Sequence, residues 1–286
     1  MTVRNSALRA RIENHRKFFD QNEKADFSLA RRYFRGDFWS SREGGAGEID
    51  RVARSILCSK NLIYSVCDSA LAGLLGPNPR VGVVPRNPEA EHLSGAVSAF
   101  MDWVFMTNRM RRRSAVGLMD AVLCKRGVFK STWQEDEDRP RVGTVDPALL
   151  YFDLVARDPE DIRYFIEATP LTRADVEWRI AQGLYPSDAL SRLKSDRYPK
   201  WLVDQGGRRG ADNVKNLDSW FTVYEYYDRE KGIVQHYSAD EDEVLLEDKL
   251  DYNPYTLFYL NHSGVDCLGV SEVQLILPQQ QTINDL

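Results

Sequence analysis

Apolar residues recur at helical spacing through the first half of the chain. Leu8, Ile12 and Phe19 line one face of a helix predicted for residues 1–20. A longer helix is predicted for residues 48–75, where apolar side chains follow one another at steps of three and four. It ends at a Gly-Pro-Asn-Pro turn, because glycine can cap a helix and proline cannot continue one.

A second helical pattern covers residues 88–126 and is interrupted near its middle. The adjacent large apolar residues Trp103–Met106 predict heavy burial there. An arginine-rich stretch at residues 108–114 then breaks the pattern before it resumes. A short strand is predicted ahead of this helix, in RVGVVP at residues 80–85.

The second half of the chain has the alternating pattern of antiparallel strands. Strands are predicted at residues 128–134, 149–154, 162–168, 220–228 and 232–238, and in RVGTVDP, EVLLE and YTLFYLN. One compact helix interrupts them at residues 172–183, where Thr172 and Asp175 have the spacing of a capping box. The predicted fold class is therefore α+β, with helices gathered in the first half and mainly antiparallel strands in the second.

The last residues have the pattern of a helix that nothing terminates. Ser271 and Gln274 have the spacing of a capping box, and apolar residues follow at helical steps. Pro278 either kinks this helix or starts a second one, because it lacks an N–H group. With no glycine, basic last turn or polar tail to end the helix, we expect the sequence to be the front part of a longer molecule.

Composition places the chain among soluble globular proteins. Its 286 residues are 43% hydrophobic and 11% aromatic, which suffices for one large domain or two modest ones. No run approaches the roughly 18 apolar residues of a membrane span, and the N-terminus lacks the apolar core of a signal peptide. The net charge of −5 predicts that any contact with nucleic acid is loose or local.

Residue types that carry catalysis form no familiar motif in this sequence. There is no HExxH zinc helix, no GxSxG nucleophile elbow and no phosphate-binding loop, and the four cysteines form no CxxC pair. Acidic runs at residues 135–138 and 240–243 are candidate metal-binding carboxylates, but both fall at predicted turns, where such runs are usually solvated. We therefore predict no catalytic residue, no metal and no cofactor.

A cluster of arginines is the sharpest charge feature of the chain. Its members are Arg109, Arg111, Arg112 and Arg113. They could contact phosphate groups of DNA through their planar forks, or they could form a helix corner that pairs with acidic neighbours in the same or an adjacent chain. The acidic net charge favours the second interpretation.

A second basic cluster surrounds the predicted N-terminal helix. Its members are Arg9, Arg11, Arg16 and Lys17. The helix could be an arm that docks on an acidic partner, or a solvated surface helix. An SSREGGAG segment at residues 40–47 follows and has the composition of a linker.

Five stretches share their order and character with one known family. They are KNLIYSVCDSALAGLLGPNPRVGVVP (60–85), LMDAVLCKRGVFKSTW (118–133), the segment from VDPALLYFDL to IAQGLYP (145–186), FTVYEYYDREKGIVQHY (221–237) and GVSEVQLILPQQQTIND (269–285). Together they resemble the front half of a tailed-bacteriophage portal protein. The similarity spans most of the chain from about residue 48.

The resemblance implies a structural protein of the virion. Portal proteins form a ring, commonly of about twelve subunits, at one vertex of the capsid, after assembly in the host cytoplasm. Double-stranded DNA is packaged and ejected through the ring. The implied partners are further copies of the chain, the major capsid protein, the terminase and the adaptor or tail proteins, with no membrane.

The resemblance also implies a division of the chain. Residues 1–47 would be a basic arm and linker, residues 48–278 the wing domain, and residues 279–286 the start of the first stem helix, with stem, clip and crown outside this sequence. Four polar residues would open the stem and contribute to the ring interface: Gln279, Gln280, Gln281 and Asn284.

Two alternatives stay open. The first is a metal-dependent nuclease of the packaging machinery, which needs converging carboxylates and a lysine near a sheet edge; EDK at residues 247–249 is the one hint of it. The second is a minor capsid or scaffold-binding protein that docks through residues 1–20.

Overall fold

The computed structural model describes residues 6–38, 60–76, 81–196, 220–238 and 244–285. The helices are α1 (Ser6–Asn22), α2 (Lys24–Phe34), α3 (Leu62–Leu75), α4 (Glu91–Thr107), α5 (Met110–Leu123), α6 (Arg173–Ala181), α7 (Ala189–Arg192) and α8 (Glu272–Asp285). The strands are β1 (Gly127–Gln134), β2 (Arg139–Thr144), β3 (Leu150–Phe152), β4 (Tyr164–Thr172), β5 (Ser195–Asp196), β6 (Trp220–Asp228), β7 (Ile233–Ser238), β8 (Val244–Lys249) and β9 (Tyr255–Phe258). The predicted linker at residues 40–47 and the front of the helix predicted from residue 48 lie outside the described residues.

The predicted α+β class is confirmed, with helices leading and antiparallel strands following. The larger sheet has the order β3-β4-β6-β7-β8, and β5 pairs with the start of β6. Its central ladder places Tyr164 opposite Asp228 at one end and Thr172 opposite Trp220 at the other. A separate three-stranded sheet has the order β2-β1-β9, so the last predicted strand returns to the first hairpin instead of extending the larger sheet.

The apolar face of α1 packs on the larger sheet of the same chain. Leu8, Ile12 and Phe19 lie in one core with sheet residues that include Phe152 and Tyr226. The predicted amphipathic helix is confirmed, and burying each of these side chains stabilises the fold by about 1.5–3 kcal/mol. Because this face is covered, docking of α1 on another molecule would use its basic face alone. The docking role and the domain boundary at residue 47 stay predictions.

A buried ion pair ties the first two helices to the start of β1. Glu23, between α1 and α2, pairs with Arg126, and both side chains are almost fully excluded from solvent. The Arg126 guanidinium lies 5.0–5.6 Å from the ring centres of Phe19, Phe27 and Phe152. Loss of either charged partner would leave the other unpaired in the core and lower the free energy of unfolding by about 3–5 kcal/mol.

The helical pattern at residues 88–126 is two helices that meet at Asn108 and Arg109. Arg109 has a φ of +50°, in the left-handed region that residues other than glycine rarely adopt. The chain therefore turns within two residues, and α5 resumes at Met110. The interruption is real but shorter than the stretch 108–114 that the arginines predict.

Two predictions in this region are wrong. Residues 81–85 form no strand. Trp103 and Met106 are exposed rather than buried, because α4 packs on its neighbours through a narrow stripe in which Val104 is the buried residue. Apolar side chains cover so much of α4 that the sequence alone does not show which face is buried.

The first residues of α3 and of α8 are each capped by a nearby side chain. Asn61 caps α3, accepting a hydrogen bond from the Tyr64 amide at 2.8 Å. The capping box of Ser271 and Gln274 is confirmed, with reciprocal bonds of 3.1 and 3.2 Å. Pro278 lies inside α8, which continues through it as one helix, so the alternative of a new helix starting there is wrong.

Gly127 allows α5 to pack directly on β1. A Cβ added at this position would lie 2.3 Å from the Gly117 carbonyl oxygen and 2.3 Å from the Phe258 ring. A backbone oxygen cannot rotate away, so a larger residue would force the helix off the sheet. This close approach sets how near the start of α5 lies to the β1–β2 hairpin.

Candidate functional site

An open cleft of about 570 Å³ lies between the α4–α5 junction and the β1–β2 hairpin. We call it the arginine cleft, because five arginines line it: Arg109, Arg112, Arg113, Arg139 and Arg141. Glu137 is the one acidic residue in its lining, and Gln134 and Thr144 add neutral polar groups. The lining thus has four net positive charges, in a protein whose overall charge is −5.

Asn108 joins the two walls of the arginine cleft. Its buried side chain donates to the Val104 carbonyl at 3.0 Å and to the Pro140 carbonyl at 2.9 Å, and it accepts from the Val142 amide at 2.9 Å. The bonds to β2 fall on the residues on either side of Arg141. Asn108 therefore holds the helix junction in register with the strand that supplies the other arginines.

Most of the positive charge in the cleft is uncompensated within the described residues. Glu137 pairs with Arg139. No carboxylate that the structure describes forms an ion pair with Arg109, Arg112, Arg113 or Arg141. Burial lowers the pKa of Arg113, and the like charges of Arg141, Arg139 and Arg109 lower it further. Such repulsion is relieved when an anion enters.

The structure brings together three of the four predicted arginines and separates the fourth. Arg111 lies instead beside an apolar cavity of about 190 Å³, whose other lining residues are Leu74, Leu75, Ser114, Leu118, Phe129 and Phe258. For the three in the cleft, the predicted pairing with acidic neighbours of the same chain is absent from the described residues. Pairing with an adjacent chain stays a prediction.

Sequence reasoning missed Arg139 and Arg141. They lie about thirty positions beyond the arginine run at residues 109–113 and directly after the acidic run at residues 135–138. Their position therefore predicts residues of a solvated hairpin. The available signal was their spacing, because residues two apart on a strand share a face. The acidic run itself forms the hairpin turn, and no three His, Cys, Asp or Glu side chains converge as metal ligands in the described part of the chain.

The structure describes one of the two other acidic candidates. Residues 240–243 lie outside the described residues. Within EDK at residues 247–249, Glu247 accepts from Gln235 at 2.5 Å and Lys249 pairs with Asp251 at 2.6 Å. These groups lie on β8 with local partners.

The N-terminal basic cluster makes contacts within its own chain. Arg11 donates to the Tyr226 hydroxyl at 2.8 Å and lies 4.8 Å from the centre of the Tyr164 ring. Arg16 pairs with Glu13 at 2.9 Å, and Lys17 with the same carboxylate at 3.6 Å. Arg9 lines a small cavity beside Arg16 and Tyr224. The Arg11 contacts join α1 to the sheet, whereas the two ion pairs of Glu13 lie within α1.

Gln280 has a structural role inside the chain. Its side-chain oxygen accepts from the Leu62 amide at 2.8 Å and from the Ile63 amide at 3.4 Å, at the N-terminus of α3. Its amide nitrogen donates to the Lys60 carbonyl at 3.1 Å and to Asn284 at 2.8 Å. Gln280 is fully buried within its own chain, where its side chain supports the start of α3, and its place in a stem and a ring interface stays a prediction. Gln279 and Gln281 are exposed.

A second charged cluster is buried between the two sheets. We call it the Lys130 cluster; its members are Lys130, Glu167, Glu225, Tyr227 and Tyr255. Lys130 bonds Glu167 at 2.5 Å and Glu225 at 2.8 Å, while Tyr255 donates to Glu167 at 2.6 Å and Tyr227 to Glu225 at 2.9 Å. Every charge has a partner of opposite sign.

The pKa values in and around the Lys130 cluster reflect this pairing. Burial opposes ionisation of Glu225, but the Lys130 charge and the hydrogen bonds from Lys130 and Tyr227, with its other neighbours, together outweigh burial and lower the Glu225 pKa to about 2. Burial likewise opposes the Lys130 charge, and the two glutamates nevertheless raise its pKa. Neighbouring His236 is buried, which lowers its pKa to about 4 and keeps the ring neutral.

One face of α4 leaves large apolar side chains in solvent. We call it the α4 apolar face; its residues are Leu93, Val97, Phe100, Trp103 and Met106, with exposed fractions of 44–79%. These positions follow helical steps along one side of the helix. No described helix is long and apolar enough to span a bilayer.

No protein-family model and no curated protein sequence matches this chain.

Proposed function

We propose that this chain is a structural subunit of a tailed-bacteriophage portal. Copies of it would form a ring at one capsid vertex, through which double-stranded DNA is packaged and ejected. Terminase, the major capsid protein and adaptor or tail proteins would dock on the ring. The chain would work by assembly rather than by catalysis, in a virion assembled in the host cytoplasm.

The α4 apolar face is the observation that carries this proposal. A helix that is apolar around most of its circumference is normally buried, and monomeric proteins rarely expose a contiguous apolar patch of this kind. A ring subunit must present two different complementary faces to its neighbours. The α4 apolar face is a candidate for one of them. The portal class itself is supported by the five ordered stretches that resemble that family.

Native mass spectrometry and negative-stain microscopy of the full-length protein test the proposal. We expect a closed ring of about a dozen copies, with a central channel wide enough to pass a DNA duplex. The double variant Phe100→Asp/Met106→Asp should shift the particle toward monomers while the monomer keeps its melting temperature, since both side chains are already exposed.

A matched control places two charges on exposed apolar residues elsewhere. Val155→Asp/Trp178→Asp should leave the ring intact. A monomer or dimer under capsid-assembly conditions would sink the portal proposal. Cleavage of DNA with a divalent metal would then favour the nuclease, and capture of coat or scaffold protein through residues 1–20 would favour the minor capsid protein.

A further inference from the structure

We infer that the arginine cleft binds consecutive phosphate groups of a nucleic-acid backbone. The proposed function assigns no surface at which the chain touches DNA, and the cleft supplies one from residues of two separate elements. This inference does not depend on ring formation. If the protein were a monomer that bound nucleic acid through this cleft, the inference would hold and the portal proposal would fail.

The charge of the cleft is the first reason. Five arginines converge on an open volume of about 570 Å³ against the single carboxylate of Glu137. The described residues provide no ion-pair partner for four of the five, so this part of the chain does not neutralise the cleft by itself. A bound polyanion would supply the missing negative charge.

The type of donor is the second reason. The basic residues that line the cleft are all arginines, and a guanidinium offers a planar fork that matches two oxygens of a phosphate. Gln134 and Thr144 add neutral donors of the kind that also bond phosphate oxygens. A row of adjacent phosphates fits a lining of several forks better than one small anion does.

The rigidity of the cleft is the third reason. Asn108 fixes the helix junction to β2, and the left-handed backbone at Arg109 costs free energy and persists only where its surroundings impose it. Gly127 brings the helix close enough to the hairpin to form the cleft. The arginines are thus held close to one another before any ligand arrives.

The lining predicts how binding depends on salt. Neutralising about four phosphates of a duplex gives a slope of about −3.6 in log affinity against log salt concentration, and about −2.8 for a single strand. None of the lining groups reads bases in this scheme, so affinity should be insensitive to sequence.

Fluorescence anisotropy with the chain as it stands tests this inference. The probes are a labelled mixed-sequence duplex and its single strand, titrated over a range of salt concentrations, with inorganic phosphate and pyrophosphate as competitors. Relative to the unmodified chain, Arg112→Ala/Arg113→Ala should reduce the slope by about 2 and Arg141→Ala by about 1. Unchanged melting temperatures would show that the variants fold.

Arg111 provides the matched control. It belongs to the same run of arginines, but the structure places it beside the apolar cavity and outside the cleft. Arg111→Ala should therefore leave the slope unchanged, as should Arg157→Ala/Arg173→Ala, which removes two exposed charges elsewhere. Equal effects of Arg111→Ala and Arg112→Ala would overturn the inference, because clustering along the chain would then explain the binding.

The remaining outcomes are equally decisive. Loss of slope in the cleft variants with either probe supports the inference, and the probe that binds more tightly at the same salt concentration identifies duplex or single strand as the ligand. Binding that ignores the cleft variants overturns it. Binding of inorganic phosphate or pyrophosphate without binding of either nucleic-acid probe also overturns the inference. A change in self-association of the cleft variants without a change in nucleic-acid binding overturns it too, and would assign the cleft to carboxylates of another copy.

Discussion

The Lys130 cluster and the arginine cleft use charged residues in opposite ways. In the Lys130 cluster one lysine is shared by two glutamates, and tyrosine hydroxyls complete the hydrogen bonding, so every charge in it has a partner of opposite sign. In the cleft several guanidinium groups face solvent and one another with one carboxylate among them. A buried cluster whose charges are all paired serves the fold, whereas an open one with unpaired charges is available to a ligand.

The largest expected effect comes from unbalancing the buried cluster. Lys130→Ala leaves two carboxylates without their cation, which should lower the free energy of unfolding by about 3–5 kcal/mol. Urea denaturation measures it, with Lys231→Ala as the control, since Lys231 is exposed and pairs only peripherally with Asp228 at 3.5 Å. If Lys130→Ala were as stable as Lys231→Ala, the cluster would not hold the sheets together.

Removing all three charges of the Lys130 cluster should restore part of the free energy of unfolding that Lys130→Ala loses. The triple variant Lys130→Met/Glu167→Gln/Glu225→Gln removes all three charges and is expected to be more stable than Lys130→Ala, because no charge is left unpaired in the interior. A triple variant less stable than Lys130→Ala would show that packing of the lysine stem, rather than charge balance, dominates.

The next largest effect is a dependence of stability on pH. Burial lowers the pKa of His236 from 6.5 to about 4, so the folded protein keeps this ring neutral while the unfolded chain takes up a proton below pH 6.5. The stability that His236 contributes above pH 6.5 is therefore lost as the pH falls toward 4, by about 2 kcal/mol between pH 7 and pH 5. Urea denaturation at both pH values should show this loss, and His236→Gln should reduce it. An equal loss in His236→Gln would assign the effect to other groups.

A smaller effect links stability to the shape of the cleft. Asn108→Ala removes three hydrogen bonds of a buried side chain and leaves backbone groups of β2 unpaired, at a cost of about 1–3 kcal/mol. It should also weaken duplex binding although no charge changes. Asn22→Ala is the matched control, because Asn22 makes the same bond to a carbonyl one turn back but in an exposed position. Duplex affinity that survived Asn108→Ala would remove Asn108 as a positioning residue.

The smallest expected effect on stability distinguishes the arginine cleft most sharply from the Lys130 cluster. Arg113→Ala should leave the melting temperature unchanged or raise it slightly, because neighbouring positive charges already lower the pKa of Arg113. A short duplex should raise the melting temperature of the unmodified chain more than that of Arg113→Ala. A clear loss of stability in Arg113→Ala would mean that this arginine serves the fold, as Lys130 does.

Local signals in the sequence predicted most of the elements. The Thr172–Asp175 capping box, the Ser271–Gln274 capping box and the hairpin after Gly127 are present as expected. Each depends on residues within a few positions of one another. Burial of Trp103 and Met106 was predicted wrongly because a helix that is apolar on several sides gives no periodic signal for the covered one.

The candidate site was predicted in part. Arg109, Arg112 and Arg113 are adjacent in the sequence, so their cluster was visible, but the exclusion of Arg111 depends on the direction in which each residue leaves the helix. The contribution of Arg139 and Arg141 depends on Asn108 and Gly127, which dock the helix on the hairpin. The role of Gln280 as a cap on α3 was also invisible, because about 220 residues separate it from the amides it binds.

The sequence by itself determined the class of the fold, the ends of most helices and strands, and which residues carry charge. Those properties follow from periodicity, capping and backbone chemistry, which act over short distances along the chain. The tertiary structure decided which charges have a partner of opposite sign and which do not. Charge balance depends on distances between residues far apart in sequence, and the same lysine or arginine supports the fold or faces a ligand according to what the packing places beside it.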